Sequence, residues 1–328
     1  MEWNTIIGQV KAKALLQEQL QNNKTSHAYL FMGPDGVGKR LTSEILAMAL
    51  NCLDGHNKPC GKCLRCKQSL HNNSPYINYL APLGANIKID QIRTLLRRIN
   101  LKTEDTAAQV LIIDGADKMT PDAANNLLKT LEEPPPRVHF ILLAHQKAAV
   151  LPTIISRCQI VLFTPLEIQD VSAYLQNKYS LSPEKAVAIA KIAQGSIGQA
   201  QKITEDEGFN NLRSIAEEIF DFCPQDAYDI LKLSSQIEEN KEQLFEILDI
   251  LRYLIRDALV SKAGTPELII NWDKKKLIQK EDYSINELLR QYSLVDEAIL
   301  RLKFNANKRL ALDALLLALK LDGRKPTW

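Results

Sequence analysis

Four of the six cysteines cluster between positions 52 and 66, as Cys52, Cys60, Cys63 and Cys66. Two successive C-x-x-C steps, Cys60-Gly61-Lys62-Cys63 and Cys63-Leu64-Arg65-Cys66, draw three sulfurs together through tight turns. Pro59 and Gly61 favour such turns. Four thiolates complete a tetrahedral zinc shell. A closed shell leaves no open position for catalysis, so a Zn2+ ion here would stabilise a small local fold over about residues 52–70. An iron–sulfur cluster is the chemical rival, because C-x-x-C-x-x-C also opens ferredoxin runs. Those runs continue to a fourth cysteine followed by proline, where this chain has Leu70 and His71. Cys158 and Cys223 stand apart and read as small buried hydrophobes.

A second stretch, Gly33-Pro34-Asp35-Gly36-Val37-Gly38-Lys39-Arg40, matches the phosphate-loop pattern up to its last position. Gly33, Gly36 and Gly38 would let backbone N–H groups close around phosphate oxygens. Lys39 would reach the outer phosphates, and a final Ser or Thr would hold magnesium. Arg40 stands there instead, and a guanidinium offers no oxygen ligand. Thr42, two residues on, would point about 200° around the helix. The acid expected to hold the metal is Asp114, at the end of Val110-Leu111-Ile112-Ile113. Gly115 follows it, where an active site would carry a glutamate to activate water. Asp117 reads as a turn or cap residue. Two readings stand at this point for the loop: a nucleotide site without hydrolysis, and an inherited loop that keeps its shape without a ligand.

These groups need elements to hold them. Ala28-Tyr29-Leu30-Phe31-Met32 predicts a buried strand before the loop, and Leu41 to Asn51 a helix after it. Residues 110–113, 140–143 and 160–163 predict three more buried strands. Thr120-Pro121 predicts a helix cap with proline at the first position, and Ala124, Leu127, Leu128 and Leu131 share one face of that helix. Continuous apolar strands separated by helices imply a parallel sheet covered on both sides. From Thr164 to about residue 207 the pattern predicts short helices, broken by Ser182-Pro183, Gly195 and Gly198. Beyond it, Leu244, Ile247, Leu248, Leu251, Leu254, Ile255, Ala258 and Leu259 keep helical spacing. Leu310, Leu312, Leu315, Leu316 and Leu319 form a last apolar stripe. The expectation is an α/β parallel-sheet domain over 1–165 carrying the zinc module, a small helical lid over 166–207, and an all-α domain over 208–328.

Composition narrows the classes. Hydrophobic residues make up 45% of the 328, charged residues 24%, and the formal net charge is only +2. This excludes a disordered chain and a global polycation. Apolar runs fall short of a membrane span, and the first ten residues lack a basic-then-apolar leader. The expectation is a cytoplasmic protein without membrane contact.

The motifs together resemble the clamp-loader branch of the AAA+ family. Ile7-Gly8-Gln9, His27-Ala28-Tyr29-Leu30-Phe31, Asn126-Leu127-Leu128-Lys129-Thr130-Leu131-Glu132-Glu133-Pro134-Pro135 and Ser156-Arg157-Cys158 carry the resemblance, with Asn305 to Leu312 similar to the end of a collar domain. Gly195-Ser196-Ile197-Gly198 falls where the family's ATPases hold a sensor arginine, and Gly198 takes that place. Arg40, Gly115 and Gly198 each remove a hydrolytic part. The resemblance therefore implies a non-hydrolysing subunit of a bacterial DNA polymerase III clamp loader. It implies a five-subunit ring with gamma/tau-like ATPase subunits and a delta subunit, acting on a sliding clamp and primer-template DNA. It implies that Arg157 is an arginine finger, in a motif with Ser156 and Cys158, reaching a neighbour's ATP in trans. Two alternatives remain: an ATP-hydrolysing gamma/tau-like subunit, and a zinc-dependent nucleic-acid-binding module built on Lys58, Lys62, Arg65 and Lys67.

Overall fold

The computed structural model describes residues 2–55, 57–71, 73–99, 107–205, 207–221, 227–238, 243–271, 274–279, 283–303 and 307–320. Helix α1 spans Val10–Gln21, followed by β1 (Ala28–Met32), α2 (Lys39–Leu50) and α3 (Leu64–Leu70). Then come β2 (Ile77–Leu80), α4 (Ile89–Ile99), β3 (Gln109–Asp114), α5 (Pro121–Glu132), β4 (Val138–Ala144), α6 (Pro152–Ile155) and β5 (Gln159–Leu162). Helices follow from there: α7 (Ile168–Tyr179), α8 (Pro183–Ile192), α9 (Ile197–Glu205), α10 (Glu207–Asp221) and α11 (Ala227–Glu238). The last are α12 (Leu244–Lys262), α13 (Lys275–Ile278), α14 (Ile285–Lys303) and α15 (Lys308–Lys320). The chain forms two compact units. One comprises Met1–Val171 with Gln194–Gln199, the other Ser172–Ala193 with Ala200–Trp328.

The first unit is an α/β domain built on five parallel strands in the order β2-β3-β4-β1-β5. Alternation explains why the central strands read as unbroken apolar runs. Tyr29, Phe31, Val110 and Ile112 pack on one face with Leu16, Ile45 and Leu46. Leu30, Leu111 and Ile113 pack on the other with Ile92, Leu127 and Leu131. Side chains of period two facing helices on both sides must all be apolar. The Thr120 cap forms as expected, its hydroxyl accepting the Ala123 N–H at 3.3 Å, with Pro121 at the first helical position.

Strand β2 and helices α1 and α4 were not expected from the sequence. Strand β2 is a half-buried edge whose Asn78 interrupts the apolar pattern. The pairing of β2 with β3 places Tyr79 beside Ile112, close to the carboxyl end of the sheet. Open parallel sheets bind ligands at that end, and both the glycine loop after β1 and Asp114 stand there.

The elements described in the second unit are all helices, as expected. Helix α12 packs against α10 and α14, and α15 against α11 and α14. Leu244, Ile247, Leu248, Leu251, Leu254, Ile255 and Ala258 are all buried in its core. One part of the last stripe differs. Leu312, Leu315, Leu316 and Leu319 are buried, but Leu310 is exposed. It lies two residues, about 200°, from Leu312 and cannot share the face set by the other four. Gly198 also departs from expectation. It lies inside the first turn of α9 rather than breaking a helix, whereas Gly195 does break the chain, at φ +77°. No described helix is long and apolar enough to cross a membrane.

Candidate functional site

The glycine loop has the shape its sequence requires. Gly36 has φ +73° and Gly38, just before α2, has φ +102°. Gly33 lies so close to β5 that a Cβ would meet the Phe163 carbonyl oxygen at 2.1 Å. The loop is also filled from within. The Lys39 side chain is buried, and its ammonium donates to the Gly33 carbonyl and to the Pro34 carbonyl at 2.7 Å. Asp35 lies 3.5 Å away. Burial holds the Lys39 pKa below the ordinary lysine value, against the pull of Asp35. From outside, the Gly195–Gln199 segment closes over the crest. Gly198 N–H donates to the Gly36 carbonyl at 3.0 Å. The Ser196 hydroxyl donates to the Asp35 carbonyl at 2.8 Å. A Cβ at Gly198 would stand 2.8 Å from the Gly36 Cα. The two glycines are in backbone contact, and no larger residue fits either position as the segments stand.

The acidic strand end is occupied in a way the sequence did not foretell. Tyr79 on β2 donates its hydroxyl to Asp114 Oδ2. The Arg40 guanidinium stacks on the Tyr79 ring, 4.4 Å from its centroid. Arg40 Nε also donates to Glu44 at 3.0 Å, one turn along α2. A chain of contacts, Glu44–Arg40–Tyr79–Asp114, thus links the position where a magnesium ligand is missing to the acid that would hold the metal. Burial, and then the Asp114 carboxylate, raise the Tyr79 pKa, so the phenol stays a hydrogen-bond donor. Gly115 has φ +84°, and a Cβ there would lie 3.2 Å from the Pro82 ring. A glutamate would be strained in that backbone. Asp117 accepts the His145 N–H at 3.1 Å, so it ties the turn to the end of β4. Tyr79 is the residue that motif reading missed. Its partner is 35 positions away in sequence, and no local spacing signals it.

The four cysteines do converge. Their Sγ atoms all lie within 4.8 Å of one another, with Cys60 and Cys66 4.0 Å apart. Four sulfurs about 2.3 Å from one ion would lie roughly 3.8 Å apart, so the cluster is of a size to hold a single metal. The donor chemistry agrees. Backbone N–H groups of Asp54 and Cys60 point at Cys52 Sγ, both at 3.4 Å. The Cys63 N–H points at Cys60 Sγ at 3.4 Å, and the Cys66 N–H at Cys63 Sγ at 3.5 Å. Such donors stabilise thiolate charge. Burial alone would raise the Cys63 pKa, but the N–H groups of Leu53 and Cys66 outweigh it and bring it to about 6. The buried Cys66 is pushed the other way, first by desolvation. Gly61 makes its turn at φ +68°, and Cys63 caps α3. The module is also anchored to the chain start, where Trp3 Nε1 donates to the Lys58 carbonyl at 2.9 Å. Arg65 is buried, with its guanidinium 5.3 Å from the Tyr76 ring centroid. The basic cluster of Lys58, Lys62, Arg65 and Lys67 is therefore not one solvated face.

Arg157 stands at the rim of the sheet domain, after α6 and before β5, with its side chain 35% exposed. Ser156 ends α6, and its hydroxyl accepts from Arg157 Nη1 at 3.2 Å. Cys158 is partly buried against the Leu30 face of the sheet, and burial pushes its pKa up to about 12, which makes it a packing residue. Cys223 lies outside the described residues, as do Asn305 and Ala306 of the segment 305–312.

The chain is similar to known families and proteins. The family described as DNA polymerase III, delta subunit, matches residues 8–167, and the one described as its C-terminal part matches residues 209–320. DNA polymerase III subunit delta' of Bacillus subtilis is 30% identical over 322 residues, spanning 95% of this chain and 96% of that protein. Subunit delta' of Yersinia pestis is 28% identical over 273 residues, spanning 80% and 78%. Subunit tau of Bacillus subtilis is 37% identical over 155 residues, but these span 47% of this chain and 27% of that protein. Among solved structures, a DNA polymerase III gamma subunit-related protein of Thermotoga maritima has a TM-score of 0.54 at 20% identity. It covers 94% of this chain and 99% of that one, which establishes a shared fold. Likeness to tau is confined to part of the chain, whereas likeness to delta' of Bacillus subtilis runs along nearly all of it. The chain belongs to the delta' family of DNA polymerase III clamp-loader subunits.

Proposed function

We propose that this subunit does not hydrolyse ATP and instead supplies Arg157 in trans to the ATP of a neighbouring gamma/tau-like subunit. The observation that carries the first half is the Arg40–Tyr79–Asp114 chain of contacts. The guanidinium at position 40 has no oxygen to offer magnesium, and the phenol it stacks on donates to the acid that would otherwise face the metal. Gly115 supplies no base, and Gly198 supplies no cation. The internal bonds of Lys39 and the Gly36–Gly198 contact further favour a loop kept for its shape over a nucleotide site. An ATP-hydrolysing gamma/tau-like role would need each of these parts restored.

The second half rests on Arg157. A guanidinium is always charged and pairs with phosphate oxygens in a fork. Its rim position leaves it open to a partner. In the ring we infer, the subunit sits beside an ATPase subunit, with a delta subunit in the same five-membered assembly. The ring loads a sliding clamp onto primer-template DNA in the cytoplasm. Residues 166–207 act as a lid and 208–328 as the collar that joins the ring. Cys52, Cys60, Cys63 and Cys66 would hold zinc, because a set of four thiolates suits it. When bound it supplies cross-linking of the 52–70 segment and no catalysis. The experiment is ATP turnover by the isolated chain, with Lys39→Ala as control. No turnover in either protein is expected. Turnover that disappears in the control would overturn the reading.

A further inference from the structure

Arg157 is already engaged within this chain. Its Nη2 lies 2.6 Å from Glu132 Oε1. Nη1 donates to the Thr153 carbonyl at 3.0 Å and to the Ser156 hydroxyl at 3.2 Å. Thr153 and Ser156 belong to the same turn as Arg157. Glu132 does not; it is the last residue of α5. A carboxylate there faces the negative end of the helix dipole, and Glu133 adjoins it, so the position needs a compensating cation. Arg157 supplies one that contacts Glu132 directly, in addition to Lys129 in the last turn of the helix. The Arg157 side chain is about one third exposed and that of Glu132 about half, so the pair lies where a partner could reach it.

We propose that Glu132 is a latch for Arg157, a positioning residue that stands in for the phosphate and yields the guanidinium to it when the ring assembles. This rests on the reading of Arg157 as a finger acting in trans. A carboxylate and a phosphate offer oxygens to a guanidinium in the same fork geometry, and the phosphate carries more charge and more acceptors. The contacts to Thr153 and Ser156 are local to the turn that carries Arg157, and the Glu132 contact is the one that ties the guanidinium to another element and must open. A partly exposed ion pair ordinarily has a modest worth. The latch therefore tunes how readily the finger engages and does not block it.

Glu132→Gln keeps the size of the side chain and removes its charge. In the isolated chain, phenylglyoxal should modify Arg157 roughly two- to fivefold faster in this variant than in the wild type, the range set by a partly exposed pair. Peptide mass spectrometry reads the rate, with Arg256 as internal standard and Glu133→Gln as a control that changes nothing. In the reconstituted loader, the ATP concentration for half-maximal hydrolysis should fall by a similar factor with kcat unchanged. Unchanged modification of Arg157 would overturn the latch, whatever the finger does. A fall in kcat would mean that Glu132 is needed in the engaged state, which also overturns it. Faster modification with no change in half-maximal ATP, while Arg157→Ala lowers hydrolysis, would overturn the transfer to phosphate. If Arg157→Ala also leaves hydrolysis untouched, the finger reading itself has failed and the latch falls with it.

Discussion

The glycine loop and the cysteine module stand in the same domain, and they have kept different things. The loop keeps its backbone. Gly36 and Gly38 hold positive φ angles, and Lys39 occupies its family position. In the proposed reading its chemistry is gone, because Arg40 and Gly115 stand where a magnesium ligand and a base are expected, and Gly198 where a sensor cation is. The module keeps its chemistry. Four sulfurs converge within 4.8 Å, and backbone N–H groups point at them. Its backbone is little more than turns and one short helix, α3. A fold element is retained for its shape when neighbours pack on it. It is retained for its ligands when the ligands are what hold it together.

That contrast can be broken at several points. The largest effect should come from the module. Metal analysis of the wild type should find one equivalent of zinc, and Cys63→Ser should remove it. Because such ions contribute on the order of 10 kcal/mol to small zinc folds, the 52–70 segment should become sensitive to protease. The sheet should persist by circular dichroism. Full metal content in the variant, or iron with sulfide in the wild type, would break the thiolate side of the comparison.

Next should come the loop as a structural part. Gly36→Val places a branched side chain at φ +73° and against the Gly198 backbone. Strain of this kind costs about 1–3 kcal/mol, read as a lowered urea midpoint with an unchanged slope. An unchanged midpoint would mean that the loop is not held by packing. A smaller effect is expected at Tyr79. Tyr79→Phe removes the donor to Asp114 and should cost about 0.5–1.5 kcal/mol, without producing ATP turnover. Turnover in Tyr79→Phe or in Arg40→Ser would show that the chemistry is masked and not lost. The smallest effect is expected at Leu310, where Leu310→Ser should stay within about 0.5 kcal/mol of the wild type, because the side chain is already exposed.

Much of this was legible in the sequence where local pattern and physical cause coincide. Strands β1, β3 and β4 carry unbroken apolar runs because both faces of the sheet are covered; β5, expected to be buried as well, is an edge strand that leaves Leu162 exposed. The Thr120 cap declares itself through Pro121, and the cysteine set through its spacing. Strand β2 was not legible, because an edge strand buries only part of each side chain and Asn78 breaks its pattern. Helix α4 was not among the expected elements although its pattern is legible, with Ile92 and Leu95 buried at helical spacing and arginines between the apolar positions. The contacts that define the site were least legible. Tyr79 meets Asp114, Gly198 meets Gly36, and Glu132 meets Arg157, each across a long stretch of chain. No spacing rule reports such pairs. Gly198 reads as a missing arginine in the sequence; in the structure it is also the residue that lets two segments touch.

The most direct test of the account is clamp- and DNA-stimulated ATP hydrolysis by the reconstituted loader carrying Arg157→Ala, with assembly size measured separately. Arg157 sits at the rim of its domain, so the isolated variant should fold, within about 0.5 kcal/mol of the wild type once the modest Glu132 contact is discounted. A complex of correct size should form. Stimulated hydrolysis should fall, by on the order of 10³-fold in the one site that Arg157 serves. A correctly sized complex that hydrolyses ATP and loads the clamp at the wild-type rate would contradict the account.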